Sequence, residues 1–169
     1  QGITPVVLGL FGIALVALTG RRVFNERVGF YAPLILASSL FWAAMGHINT
    51  LDMGLAFFLE AALCAFVFAQ RAPEASREER RWMLLAWAAM ALAVLSKGLV
   101  GLVLPAGTLI AYCLLERTLK PLRRMHFAAG IVAFLVLAAP WFIAVSSANP
   151  EFARFFFIHE HFERFLTRD

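Results

Sequence analysis

Charge is scarce in this chain of 169 residues: Asp, Glu, Lys and Arg make up 15% of it, against about a quarter in soluble domains. With a hydrophobic share of 62%, that scarcity excludes an ordinary water-soluble domain. Cysteine is nearly absent. Cys64 and Cys113 sit inside apolar runs without metal-ligand spacing, which excludes a disulfide scaffold and a Cys-rich zinc site and leaves two core thiols. There is no P-loop, no Gly-rich nucleotide motif and no Ser-His-Asp order. Internal repeats and low-complexity stretches are missing as well, and no cleavable signal is visible. The net charge of +4 does not imply a nucleic-acid partner, because where the charges fall matters more than their sum.

What the sequence has in quantity is apolar runs of about 15 to 20 residues, close to the length a helix needs to cross roughly 30 Å of hydrocarbon. An all-α, polytopic transmembrane helical bundle is expected, a single domain over 1–169. About six membrane-spanning helices are expected: Thr4–Thr19, Phe30–Gly46, Gly54–Gln70, Trp82–Leu95, Leu99–Leu115 and Phe127–Val145. Several are short, so their ends should extend into the flanking residues. Three alternate connections, Gly20–Gly29, Arg71–Arg81 and Glu116–His126, hold eleven of the fifteen Lys and Arg. Cytoplasmic loops retain such residues, so these connections are assigned to the cytoplasm. His47–Asp52, Ser96–Gly98 and the closing stretch then share the opposite face.

Ser96-Lys97-Gly98 reads as a tight break, because a single long helix would carry Lys97 to mid-membrane at a cost of at least about 2.5 kcal/mol. Pro105 and Pro140 are candidate kinks. Glu74–Arg81, mixed in sign, reads as a solvated helix start. Glu60, about two turns into its helix, needs a partner or a proton, and nothing in the sequence names the partner. His47 and His126 read as ordinary interface histidines.

The polar residues of the outer face are the candidates for chemistry. Asp52 is either an N-cap for the helix that follows or a carboxylate lining an outward cavity. Lys97, at the tip of a hairpin, is its candidate ion-pair partner. The stretch Asn149–Phe165, within an interfacial segment over 147–169 on that outer face, combines Phe rings with His159, Glu160, His161, Glu163 and Arg164. As a helix it would suit a membrane surface, rings in the lipid boundary and charges in water. His159 and Glu163 would share a face as two possible metal ligands, whereas His161 points elsewhere. Arg164 can pair with Glu160 or hold a phosphate in bidentate fashion. An outer cavity of this composition suits a lipid-linked, phosphate-bearing molecule, and it would also suit a transporter.

Four stretches together carry a resemblance: His47-Ile-Asn-Thr-Leu-Asp-Met53, Leu95-Ser-Lys-Gly-Leu-Val-Gly101, Ala139-Pro-Trp-Phe142, and Asn149-Pro-Glu-Phe152 continuing to His159-Glu-His-Phe-Glu-Arg-Phe165. In that order and spacing the chain resembles the bacterial undecaprenyl-phosphate aminoarabinose transferases that modify lipid A. These belong to the polytopic GT-C glycosyltransferases, a class that includes the dolichyl-phosphate-mannose protein mannosyltransferases. The resemblance implies a GT-C glycosyltransferase-like bundle in the bacterial inner membrane, active on the periplasmic face. The implied donor is a polyprenyl-phosphate sugar and the implied acceptor is lipid A, among membrane lipids and with no nucleic acid. Asp52 matches an acidic residue of the family's site, Lys97 the lysine paired with it, and Arg164 an arginine that holds the carrier phosphate. His159 matches a ligand of a divalent metal, with zinc the expected ion.

The resemblance also implies a departure. The family's principal catalytic carboxylate and a Lys-Pro-containing segment belong to a first periplasmic loop, and none precedes Gln1; the soluble C-terminal domain is likewise outside this sequence. The expectation is part of a site on a piece of a longer enzyme, inactive alone. The expected reaction moves 4-amino-4-deoxy-L-arabinose from undecaprenyl phosphate to a lipid A phosphate, with a link to polymyxin resistance. The alternatives are a GT-C transferase with a protein or other glycan acceptor, and a non-enzymatic six-helix transporter.

Overall fold

The computed structural model describes residues 3–47 and 52–149, almost all of them helical. In chain order the helices are α1 (Ile3–Val23), α2 (Glu26–Ser38), α3 (Leu40–His47), α4 (Asp52–Arg71), α5 (Arg77–Lys97), α6 (Val100–Leu115), α7 (Lys120–Arg123) and α8 (Phe127–Ala148). No strand occurs among the described residues. Helix satisfies each backbone N–H and C=O within its own segment, as hydrocarbon requires. The outer surface matches that solvent: Leu10, Phe11, Ile35, Phe41, Val136 and Ile143 are all more than half exposed. In water such a surface would drive association, whereas lipid tails are as apolar as the side chains they touch. This is a multi-pass membrane protein.

The expected count of about six spans is too high. Among the described residues three helices are long and apolar enough to cross a bilayer: α1 with 21 residues, α4 with 20 and α8 with 22. The expected span Phe30–Gly46 is divided, because α2 stops at Ser38, Ser39 adopts an extended backbone (φ −65°, ψ 120°), and α3 restarts at Leu40. α5 has 21 residues but opens on a charged run, Arg77-Glu-Glu-Arg-Arg81, which shortens its apolar part. α6 is apolar but only 16 residues long. As expected, helix ends reach past the apolar runs, α1 to Val23 and α5 to Lys97. Pro105 and Pro140 lie inside α6 and α8, which continue through them.

The core sits between α4 and α5, an antiparallel pair joined by residues 72–76. Ala62, Ala65 and Ala69 of α4 cluster with Ala86, Ala89 and Met90 of α5. Spacings of three and four put the alanines of each helix on one face, and small side chains let two backbones approach closely, which is how helices associate in lipid. α8 docks on α5 at Trp87, whose indole Nε1 donates to Met125 O at 2.9 Å. Gly130 makes room for that ring: a Cβ there would lie 2.1 Å from Trp87 Nε1.

α1 packs on α2 and α4. The Arg22 guanidinium lies 5.5 Å from the centre of the Phe68 ring, holding the C-terminal ends of α1 and α4 together. The arginine-rich connections thus gather at one end of the bundle. At the other end Gly9 of α1, Met53 and Gly54 of α4 and Ser96 of α5 meet.

Candidate functional site

At this second end Asp52 opens α4 and Lys97 closes α5. Each charge suits its own helix, since a carboxylate is favoured in a first turn and an ammonium in a last one. Running antiparallel, the two helices bring the groups together, and Lys97 Nζ donates to Asp52 Oδ1. The side chains are 51% (Lys97) and 38% (Asp52) exposed. A pair so open contributes only about 0–1 kcal/mol of stability in water, so its main effect is to fix two opposite charges at the tip of two hairpins.

The turn after Lys97 depends on Gly98, whose φ of 81° with ψ of −155° is a backbone region open essentially to glycine alone. Its N–H donates to Val94 O at 2.7 Å, closing α5, and α6 begins at Val100. Ser96 Oγ donates to Leu92 O at 2.8 Å. The break expected at Ser96–Gly98 is therefore present, and it is what delivers Lys97 to Asp52.

Arg164 and His159 lie outside the described residues, as do Glu160, His161, Glu163 and nearly all of the interfacial segment expected over 147–169. Among the described residues no three His, Cys, Asp or Glu side chains gather as metal ligands. Glu60 faces Gly12 of α1 and Trp42 of α3, and its Oε1 has no hydrogen-bond partner among the described residues.

At the arginine-rich end the structure assembles a cluster that the sequence did not reveal. Glu79, expected in a solvated helix start, is only 2% exposed. Its Oε2 accepts from Arg124 Nη2 at 2.8 Å, and its Oε1 lies 2.9 Å from His126 Nε2. Arg124 also donates to the carbonyls of Ala69 (3.0 Å), Gln70 (2.7 Å) and Ala72 (2.6 Å), capping the C-terminal end of α4. Burial alone would raise the Glu79 pKa. Hydrogen bonds from Arg124, His126 and the Ala75 N–H outweigh it and hold the carboxyl below its ordinary value. One sequence signal was available: Ser76-Arg-Glu-Glu79 has capping-box spacing, and Ser76 Oγ accepts from Glu79 N at 3.0 Å. The cluster ties together the ends of α4, α5 and α8 and so holds in register the hairpins that meet at Asp52 and Lys97.

The family described as dolichyl-phosphate-mannose-protein mannosyltransferase matches residues 3–143. The chain belongs to this family. It is 36% identical over 143 residues to undecaprenyl phosphate-alpha-4-amino-4-deoxy-L-arabinose arabinosyl transferase 1 of Sodalis glossinidius, covering 85% of this chain and 25% of that protein. Identity to the corresponding arabinosyl transferase of Shewanella sediminis is 32% over 156 residues, 92% of this chain and 28% of the relative. The crystal structure of ArnT from Cupriavidus metallidurans bound to undecaprenyl phosphate superimposes with a TM-score of 0.91 at 42% identity, over 96% of this chain and 30% of that one. The apo form of the same protein gives 0.89. The chain thus spans 25% to 30% of the length of these relatives.

Within a mannosyltransferase-family bundle, the Asp52–Lys97 end offers paired opposite charges, partly exposed, above an apolar scaffold. Such a pair can orient a phosphate or an amino sugar through the lysine and the carboxylate respectively. The Glu79–Arg124–His126 group at the opposite end, centred on a buried carboxylate, is placed to hold the scaffold rather than to touch a substrate.

Proposed function

We propose that this chain forms part of a glycosyltransferase that moves 4-amino-4-deoxy-L-arabinose from undecaprenyl phosphate to a lipid A phosphate. The bacterial inner membrane would hold it, with the Asp52–Lys97 end facing the periplasm. The observation that carries the reading is the likeness, across nearly the whole chain, to an ArnT crystallised with undecaprenyl phosphate. The eleven-to-four split of Lys and Arg between the two faces supports the orientation.

In the proposed reaction an ionised oxygen of the lipid A phosphate attacks the anomeric carbon of the sugar. The bond from that carbon to the carrier phosphate breaks with inversion, and its electron pair leaves on undecaprenyl phosphate. The nucleophile is already charged, so the protein's task is to position two phosphates and offset their charge. Arg164 is assigned the leaving carrier phosphate. Lys97 and Asp52 shape the pocket and orient a carboxylate supplied from elsewhere in a longer protein. His159 is proposed as a ligand of a divalent metal; metal analysis of purified protein should show the ion reduced in His159→Ala, and an unchanged content would remove the assignment.

Transfer to purified lipid A tests the reading. The full-length protein should release undecaprenyl phosphate only when lipid A is present, and Arg164→Ala should slow turnover by about 100-fold, the scale of losing one charge-stabilising donor. Normal transfer by Arg164→Ala would remove the leaving-group role. Release dependent on a protein or another glycan would favour the second reading, a GT-C transferase with a different acceptor, which the family's mannosyltransferase description keeps in view.

A further inference from the structure

The transfer reading gives no role to a cavity of about 760 Å³ between α4, α5, α6 and α7, in the half of the bundle away from Asp52 and Lys97. It exists because α6 leans mainly on α5 and meets α4 less closely, leaving a wedge between them. Its body is apolar, formed by Ala62, Phe66, Met90, Leu102, Pro105 and Leu109. The volume falls within the range of roughly 300–1,000 Å³ usual for small-ligand sites.

The rim differs in character from the body. Gln70, Arg71, Glu74, Tyr112, Lys120 and Arg124 line it. Arg124 is committed to Glu79 and the α4 carbonyls. Arg71 and Lys120 make no hydrogen bond or ion pair through their side chains among the described residues, and both are exposed. Gln70 Nε2 donates to Pro121 O at 3.4 Å, which brings the neighbouring Arg71 and Lys120 to the same stretch of rim. Glu74 is the one acid among the lining residues, and the adjoining connection carries Arg117 and Arg123 along with Glu116. The arginine-rich end is where headgroups of a bilayer would lie, and basic pockets between transmembrane helices attract anionic headgroups.

We propose that this cavity holds an acyl chain of an anionic phospholipid from the leaflet at the arginine-rich end, with the lipid phosphate between Arg71 and Lys120. The apolar wedge takes the chain and the two uncommitted cations take the headgroup. The bound lipid fills a gap beside the α4–α5 core. The site is independent of sugar transfer, and its test reads lipid retention alone.

The test is native mass spectrometry of the full-length protein in detergent with phosphatidylglycerol or phosphatidylcholine of matched acyl chains. Phosphatidylglycerol should be retained about tenfold more than phosphatidylcholine. Arg71→Gln combined with Lys120→Gln should abolish that preference while leaving phosphatidylcholine unchanged. Ala106→Trp, at an exposed lining position of α6, should reduce retention of both lipids several-fold by narrowing the wedge. Equal retention of the two lipids overturns the proposal. So does phosphatidylglycerol binding indifferent to Ala106→Trp, which would mean headgroups adhering to the basic surface only. Displacement of phosphatidylglycerol by undecaprenyl phosphate, with the same sensitivity to the variants, would overturn it in favour of the carrier. A lipid-free dimer would assign the wedge to a second copy. If the tryptophan variant fails to fold, the paired glutamine variant still decides.

Discussion

Removing the Arg124 side chain should destabilise the bundle more than removing either charge of the Asp52–Lys97 pair. The guanidinium makes four bonds: one to Glu79 and one each to the carbonyls of Ala69, Gln70 and Ala72. The Arg124 and Glu79 side chains are only 17% and 3% exposed, so little water can replace what is lost. In Arg124→Ala the carboxylate stays buried with only His126 and the Ala75 N–H, and the end of α4 loses its cap. Breaking a buried pair by deleting one partner costs about 3–5 kcal/mol. For a chain of this size that lowers the melting temperature by on the order of 10 °C. Tryptophan fluorescence during thermal unfolding in detergent would read it, because Trp87 is bonded to Met125, next to Arg124.

The pH dependence has a definite sign. Glu79 has a folded pKa below its unfolded value, so its contribution is complete above the unfolded carboxylate pKa of about 4.3 and is lost as pH falls through the depressed folded value. Wild-type stability should therefore drop as pH falls below about 4.3, and Glu79→Gln should flatten that drop. A melting temperature of Arg124→Ala within a degree of wild type would refute the reasoning.

Two further substitutions address the packing and the candidate site. Gly130→Ala places a Cβ where Trp87 now sits, so the indole must move and its bond to Met125 should break. The overpacking cost is about 1–3 kcal/mol, with an altered tryptophan emission maximum as the readout; unchanged emission and stability would contradict the packing described. Asp52→Lys and Lys97→Asp should each impair transfer by the full-length protein, and the double swap should recover part of it if the two charges act as a pair. Additive losses would mean that they act separately.

Much of the fold was legible because membrane helices announce themselves by length and apolarity. α1, α4 and α8 fall where the apolar runs do, and the turn at Ser96–Gly98 followed from the cost of burying Lys97. The break at Ser39 was not legible: the apolar run continues across it, and composition does not report one residue in an extended conformation. Glu79 was misjudged for a different reason. Sequence pattern describes the neighbours along a helix, whereas the partners that bury this carboxylate, Arg124 and His126, arrive from about 45 residues downstream. The Asp52–Lys97 pairing is separated just as widely, yet it could be anticipated because the alternation of basic loops placed both residues at one end. The family roles of His159 and Arg164 come from the resemblance, and both residues lie outside the described ones.

The most direct test of sugar transfer to lipid A is mass spectrometry of lipid A from bacteria that lack their own aminoarabinose transferase but make its donor. Expression of the full-length protein containing this chain should add aminoarabinose to lipid A phosphates, and the Asp52→Lys variant should lower that yield. Lipid A left unmodified by a well-expressed, membrane-inserted protein would contradict the assignment.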